Sequence, residues 1–156
     1  DRLANARRVL CLGYRNSALH ATYAATQLEL LRHHVVLSVE ASDRLATSVY
    51  GLGTEDVALV VALRRRTPLL RQALDFLEQQ QVPVILMTDA SGLAIAKASH
   101  LVLPCHCQSE GLFDSYAASM GLLNFLINET AKALGPAARA RLRDMEALHQ
   151  NLGDLI

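Results

Sequence analysis

The sequence predicts an α/β fold, a three-layer sandwich in which helices flank a five-stranded parallel sheet. Short apolar runs alternate with amphipathic stretches along the chain, which is the pattern of strands connected by helices. The run at 57–63, Val-Ala-Leu-Val-Val-Ala-Leu, is apolar on both faces, as a central parallel strand must be. With 156 residues, 51% of them hydrophobic, the chain can build one core. We therefore expect a single domain over residues 1–156.

Before the central strand, the pattern predicts two strands and two helices. The strands cover residues 9–12 and 34–39, and both are expected to be buried. The helices cover residues 17–32 and 42–52. Ser42 or Asp43 can cap the second helix, and Gly51 and Gly53 end it.

After the central strand, two further strands are predicted at 82–87 and 101–103. Helices are predicted at 68–80, 91–99 and 113–134, with a last helix that begins at 136. Pro68 and Pro136 fit the first turn of a helix, and Gly135 ends the long apolar helix. The apolar stripe of the last helix is expected in the core or in a subunit interface.

Composition narrows the class of protein. The 15 basic and 15 acidic side chains cancel, and there is no Trp. This balance argues against a basic nucleic-acid surface and a base-stacking platform. Three cysteines without framework spacing predict a reducing compartment, hence the cytoplasm, and no apolar run is long enough for a membrane span. The chain begins with Asp1 rather than Met, so we interpret it as a piece of a longer protein.

Ligands of parallel sheets bind beyond the carboxyl ends of the strands. Four predicted loops lie there, at 13–17, 64–67, 88–91 and 105–115. In the first loop, Gly13 precedes Arg15, Asn16 and Ser17, so backbone N–H groups, a hydroxyl and a guanidinium can meet an anion at a helix N-terminus. The alternative is that Arg15 is a solvated turn residue and Ser17 a helix cap.

The other loops add further candidates. Arg64 or Arg65 can form a second anion clamp, or the charges can serve solvent or a subunit contact. Thr67 can cap the helix that Pro68 opens. Ser115, at a predicted helix start, is either a cap or a ligand hydroxyl. Asp89 can bind ligand or accept backbone hydrogen bonds in a turn.

Metal and catalytic chemistry have weaker candidates. Cys105, His106 and Cys107 carry metal-ligating side chains, but adjacent residues chelate poorly and no second cluster stands nearby. We therefore expect no metal and no cofactor. His106, with Glu110 as partner, is a candidate acid or base.

Four sequence blocks occur in an order and spacing typical of one known family. They are a strand–Gly–x–x–x–Ser turn at 12–17, an Asp before a buried strand at 55–61, the segments 84–89, 93–94 and 98–103 that close the sheet, and Phe-Asp-Ser at 113–115. On these blocks the chain resembles the SIS (sugar isomerase) domain, which has a flavodoxin-like or Rossmann-like sheet. It resembles more closely the effector domain of RpiR-type bacterial transcription regulators.

The chain departs from that family pattern at two loops. SIS domains commonly carry Gly-x-Gly-x-Ser at the first turn, where Tyr14 and Arg15 stand here. They commonly carry Ser-x-Ser-Gly-x-Thr after the third strand, where Arg64, Arg65 and Arg66 stand here. Guanidinium groups thus replace part of the hydroxyl-rich cradle, and the ligand can be a sugar phosphate, another phosphate or an organic acid.

The resemblance implies a ligand sensor without enzymatic activity. A small anionic metabolite would bind across the loops and shift a homodimer or higher homo-oligomer between two arrangements. DNA would be contacted only by a DNA-binding domain that we expect before Asp1. One alternative is an aldose–ketose sugar-phosphate isomerase with Glu110 or His106 as base. Another is a dimerisation module that binds no ligand.

Overall fold

A computed structural model describes residues 1–39 and 44–153. The strands are Val9–Gly13 (β1), Val35–Ser38 (β2), Val57–Ala62 (β3), Val84–Thr88 (β4) and Leu101–Pro104 (β5). The α-helices are Arg2–Asn5 (α1), Ser17–Leu31 (α2), Arg44–Val49 (α3), Pro68–Gln79 (α4), Ala117–Leu134 (α5) and Pro136–Leu152 (α6), and a 3-10 helix covers Ala90–Ile95. None of the helices in the described ranges is long and apolar enough to cross a membrane.

The five strands form one parallel sheet in the order β2-β1-β3-β4-β5. Every residue of β1, β3 and β4 is buried. Successive side chains alternate between two cores: Leu59 packs with α2, α5 and α6, whereas Val60 packs with α3 and α4. The predicted three-layer α/β fold, with 57–62 as its central strand, is therefore confirmed.

The second strand differs from its prediction in burial. We expected a buried strand at 34–39, but Val35 and Val36 are half-buried and Leu37 is 38% exposed. The reason is the sheet order, because β2 is an edge strand that pairs only with β1. An apolar run does not reveal whether a second neighbour exists.

Two predicted helices are shorter than expected. The helix predicted at 42–52 covers Arg44–Val49, and its proposed caps, Ser42 and Asp43, lie outside the described residues. The helix predicted at 91–99 is a 3-10 helix that ends at Ile95, because Ala96 has an extended backbone.

The helix predicted from residue 113 begins at Ala117 instead. The Ser109 hydroxyl accepts a hydrogen bond from the Gly111 N–H at 3.3 Å and donates one to the Phe113 carbonyl at 2.5 Å. The Ser115 N–H donates to the Cys107 carbonyl at 2.9 Å. These local bonds compete with helix formation and hold 105–116 as a loop over the carboxyl end of the sheet.

A buried carboxylate holds the opposite end of the sheet. Asp56, 2% exposed, accepts hydrogen bonds from Arg7 Nη2 at 2.7 Å, from the Arg8 N–H at 3.0 Å and from the Gly53 N–H at 2.9 Å. Burial alone would raise the pKa of Asp56, but the hydrogen bonds and the charges of Arg7 and Arg8 hold it below its ordinary value. This network joins the segment before β1 to the turn before β3.

Candidate functional site

A cavity of about 680 Å³ lies at the carboxyl ends of β1 and β3, under the loop that follows β5. Its lining residues are Arg15, Asn16, Leu63, Arg64, Arg65, Gln108, Ser109, Gly111, Leu112, Phe113, Asp114 and Tyr116. Four of the residues predicted from sequence meet there: Arg15, Asn16, Arg64 and Arg65. The other three, Ser17, Thr67 and Ser115, do not line this cavity.

The turn between β1 and α2 requires Gly13. A Cβ at this position would lie 2.5 Å from the backbone oxygen of Ser17, so only glycine lets the helix start this close to the strand end. The N–H groups of Ser17 and Ala18 donate to the carbonyls of Tyr14 and Arg15. Those two amides therefore serve the turn itself, and charge at this site comes from side chains.

Ser17 has a different role from either predicted one. Its side chain is buried, and its hydroxyl accepts a hydrogen bond from the Leu63 N–H at 3.0 Å. The cap position of α2 belongs to Asn16, so the interpretation of Ser17 as helix cap is wrong. The Asn16 side chain makes no capping bond and instead donates from Nδ2 to the Tyr116 hydroxyl at 3.1 Å. Ser17 thus joins the first loop of the site to the end of β3.

Arg66 is a structural residue beside the cavity. Its guanidinium donates to the Ala62 carbonyl at 3.1 Å, to Asp89 Oδ1 at 3.0 Å and to Ser91 Oγ at 2.8 Å. Burial alone would raise the pKa of Asp89, but hydrogen bonds from Ser91, Arg66 and the Arg64 N–H keep it below its ordinary value. Asp89 is therefore the turn residue of the two alternatives, with its oxygens occupied by protein donors.

Arg64 is neutralised within the cavity. Its Nε donates to Asp114 Oδ2 at 2.9 Å, and this hydrogen bond and the Asp114 charge raise the pKa of Arg64. Its backbone has a positive φ of 57°, and its N–H donates to Asp89 Oδ2 at 2.9 Å. The ion pair joins the loop after β3 to the loop after β5.

Arg15 and Arg65 keep their charges available. Both side chains are exposed, and neither makes a side-chain hydrogen bond or ion pair with any residue in the described part of the chain. Arg15 also has a positive φ of 56°, a conformation that costs free energy for a side chain of this size. After Arg64 and Asp114 cancel, these two arginines leave the cavity with an excess of positive charge.

The remaining predicted residues have other positions. Thr67 caps α4, where its Oγ1 accepts from the Leu70 N–H at 3.3 Å, so the capping prediction is confirmed. Ser115 is exposed and lies two residues before α5, so it is not at the helix start. Its role as a ligand hydroxyl stays a prediction.

The structure adds lining residues that the sequence analysis did not assign. Asp114 and Tyr116 are the polar ones with defined partners, Arg64 and Asn16. Asp114 stands inside the Phe-Asp-Ser block at 113–115, which was the available signal. Nothing in the sequence indicated that Tyr116 would contact a residue 100 positions earlier.

The Cys-His-Cys segment lies beside this cavity. Cys105 and Cys107 are buried free thiols, and burial raises the pKa of Cys105 to about 11. His106 lines a neighbouring depression of about 410 Å³ with Asp89 and Arg64, and Glu110 lines neither space. Within the described ranges, no three His, Cys, Asp or Glu side chains gather in a group able to hold a metal ion.

A family model described as SIS domain matches residues 2–129. Among solved structures, the sugar isomerase domain of an RpiR transcription factor from Sphaerobacter thermophilus is similar, with a TM-score of 0.80 and 23% identity over 94% of this chain and 82% of that one. The Vibrio vulnificus NanR protein, complexed with ManNAc-6P, has a TM-score of 0.77 and 18% identity over 97% of this chain and 58% of its own.

A third similar structure is c3406 of E. coli CFT073 in complex with arabinose 5-phosphate. Its TM-score is 0.59, with 17% identity over 84% of this chain and 70% of that one. None of the curated proteins compared with the chain matches it significantly. At these identities, the likeness to solved structures shows a shared fold.

Proposed function

The chain belongs to the SIS domain family, and we propose that it is the ligand-sensing and dimerisation domain of an RpiR-type transcription regulator. In this role it binds a small anionic metabolite at the carboxyl ends of its strands. The observation that carries the proposal is the pair of unpartnered arginines, Arg15 and Arg65, on the 680 Å³ cavity. Such guanidinium groups pair with phosphate or carboxylate oxygens through charge-assisted hydrogen bonds.

The proposed ligand site consists of Arg15, Asn16, Arg64 and Arg65. Arg15 and Arg65 supply positive charge, and the Asn16 amide keeps its oxygen free because its Nδ2 is used on Tyr116. Arg64 can reach the ligand only if Asp114 shares it, since its Nε is bonded to that carboxylate. Ser17 acts on the ligand indirectly, by holding the first loop against Leu63.

The class of ligand follows from the charge of the cavity. An excess of two guanidinium groups matches a phosphate ester or an organic acid. The complexes of NanR with ManNAc-6P and of c3406 with arabinose 5-phosphate support a sugar phosphate. Our proposal extends that chemistry to this chain and includes organic acids, because arginines replace the usual hydroxyl loop.

The proposed dimer uses α5 and α6. Large apolar side chains are exposed there, including Phe125 at 61% and Leu148 at 56%. Burial of such a surface against a second copy is favourable. In the regulator, DNA would be bound by a separate domain before Asp1, a division that the neutral charge of this chain supports.

We propose a binding role without catalysis and a cytoplasmic location. The isomerase alternative needs a base beside the substrate, but Glu110 and His106 do not line the cavity. The location rests on the free thiols Cys11, Cys105 and Cys107.

Thermal unfolding with a panel of compounds tests the proposal. The panel contains ManNAc-6P, arabinose 5-phosphate, phosphorylated sugar acids and dicarboxylates, each at saturating concentration. A ligand that binds the folded state raises the unfolding midpoint. We expect at least one anion to do so and its uncharged sugar to have no effect. If no compound raises the midpoint, the sensor proposal fails and the ligand-free dimerisation module replaces it.

A further inference from the structure

A buried polar cluster lies behind the wall of the cavity, between α2 and α5. His20 of α2 is 1% exposed and Ser119 of α5 is completely buried. His20 Nε2 is 2.8 Å from Ser119 Oγ, and Ser119 Oγ is 2.9 Å from the Tyr116 carbonyl oxygen. The imidazole is therefore connected to the backbone at the start of α5.

The cluster reaches the cavity through Tyr116. The rings of His20 and Tyr116 meet edge to face, with centroids 5.4 Å apart and an interplanar angle of 73°. The Tyr116 hydroxyl accepts a hydrogen bond from Asn16 Nδ2 at 3.1 Å. Asn16 and Tyr116 both line the cavity, whereas His20 and Ser119 do not. The four residues thus form a connected set of contacts with two members in the cavity wall.

A histidine at this position is costly unless the polar cluster is needed. The neighbouring buried positions on α2, Ala21, Ala24 and Leu28, are apolar. An apolar side chain at position 20 would pack there without the desolvation penalty of an imidazole. What the imidazole adds is a bond to Ser119 and an aromatic edge for Tyr116, and both act on the same lining residue.

The surroundings keep the ring neutral at neutral pH. Burial lowers the pKa of His20 below 6.5, and the Asn16 backbone only partly opposes this. The titratable groups beside the cluster are the Tyr116 hydroxyl and the Cys107 thiol, which bonds Ser119. No charged side chain in the described ranges shifts the pKa of His20.

We propose that His20 is a positioning residue of the ligand site: through Ser119 and its ring contact it holds Tyr116, and through Tyr116 it holds Asn16, in the cavity wall. It does so without touching the ligand. That this wall serves an anion rests on the function proposed above. The placement of Tyr116 does not rest on it and can be measured separately.

The first test measures the wall without ligand. Carbon-13 spectra of ring-labelled tyrosine report all four tyrosines, and Tyr116→Phe assigns the signal of interest. In His20→Phe and Ser119→Ala we expect the Tyr116 signals to move while those of Tyr23 and Tyr50 stay. His20→Gln can still donate to Ser119 and should restore most of the wild-type position. Ser119→Ala and His20→Gln keep the test decisive if His20→Phe does not fold.

A pH titration distinguishes positioning from simple packing. In the wild type, the Tyr116 signals should follow protonation of His20 below pH 6.5. In His20→Gln this transition should vanish. Tyr116 signals that ignore both the pH and the three substitutions would overturn the proposal.

The second test measures the dissociation constant for ManNAc-6P by calorimetry. We expect His20→Phe and Ser119→Ala each to raise Kd about tenfold, and the double variant to add little, because both remove one interaction. An unchanged Kd in both variants contradicts positioning. If the wild type binds no ManNAc-6P while the Tyr116 signals still move, the proposed function fails for this ligand and the positioning of Tyr116 stands.

Discussion

The Ser17 hydroxyl accepts a hydrogen bond from the Leu63 N–H at 3.0 Å, and this bond joins the first loop of the site to the end of β3. Ser17→Ala leaves a buried N–H without a partner, so we expect it to lower the free energy of unfolding by about 1–3 kcal/mol. Urea unfolding measures this. Ser115→Ala, an exposed serine from the same predicted set, is the control and should change stability by less than about 0.5 kcal/mol. Equal effects of the two substitutions would contradict the structural role of Ser17.

Gly13 and Gly121 form a matched pair for the turn. A Cβ at Gly13 meets the Ser17 backbone at 2.5 Å, whereas a Cβ at Gly121 in α5 meets nothing within 4 Å. We expect Gly13→Ala to destabilise the fold by about 1–3 kcal/mol through overpacking. Gly121→Ala should stabilise it by about 0.5–1 kcal/mol through helix propensity. Thermal unfolding of both variants checks the signs, and a Gly13→Ala variant of wild-type stability would show that the turn tolerates a side chain.

Asp56 predicts part of the acid sensitivity. Its pKa in the folded state lies below the ordinary 3.8, so its contribution to stability is present above that pH and is lost as the pH falls through the folded-state value. Asp56→Asn leaves the buried partners of the carboxylate poorly matched and should cost about 3 kcal/mol at pH 7. The loss on acidification should then be smaller than in the wild type.

Asp75→Asn is the control for this pH dependence. Asp75 is 49% exposed and bonds Lys97 on the surface, so its removal should cost less than about 1 kcal/mol. Urea unfolding from pH 7 to pH 3 compares the three proteins. An acid limb that is identical in the wild type and in Asp56→Asn would show that other carboxylates carry it.

The proposed dimer predicts which surface substitutions dissociate it. Phe125→Asp on α5 and Leu148→Asp on α6 place a charge in the proposed interface and should yield monomers, because a buried unpaired charge is unfavourable. Leu19→Asp changes a side chain that is 70% exposed on α2 and should leave the dimer intact. Sedimentation velocity measures all three, and a wild type that sediments as a monomer would refute the interface.

The sequence predicts the sheet better than the site, for physical reasons. Uninterrupted apolar runs such as 57–62 are strands wherever both faces are covered, so β1, β3 and β4 were found from local pattern alone. The exposure of β2 depends on which strand lies beside it, which no local pattern contains. The start of α5 depends on the Ser109 hydroxyl, whose bond to Phe113 replaces helix bonds that the apolar pattern favours.

The site divides in the same way. Arg15 and Arg65 were predicted from their place after strands, and the structure puts both on the cavity. Three consecutive arginines look alike in sequence, yet Arg66 bonds Asp89 and Arg64 bonds Asp114. The contacts of Asn16 with Tyr116 and of His20 with Ser119 join residues about a hundred positions apart, so only the fold reveals them.

The central claim is that Arg15 and Arg65 bind an anion. Calorimetric titration of the wild type, Arg15→Ala and Arg65→Ala with ManNAc-6P tests it most directly, with Arg2→Ala as a control that removes an exposed arginine at the other end of β1. A hydrogen bond to a charged group contributes about 1.5–3 kcal/mol, so each site variant should raise Kd roughly 10-fold to 100-fold. Arg2→Ala should bind like the wild type. Equal Kd values for the wild type and both site variants would contradict the claim.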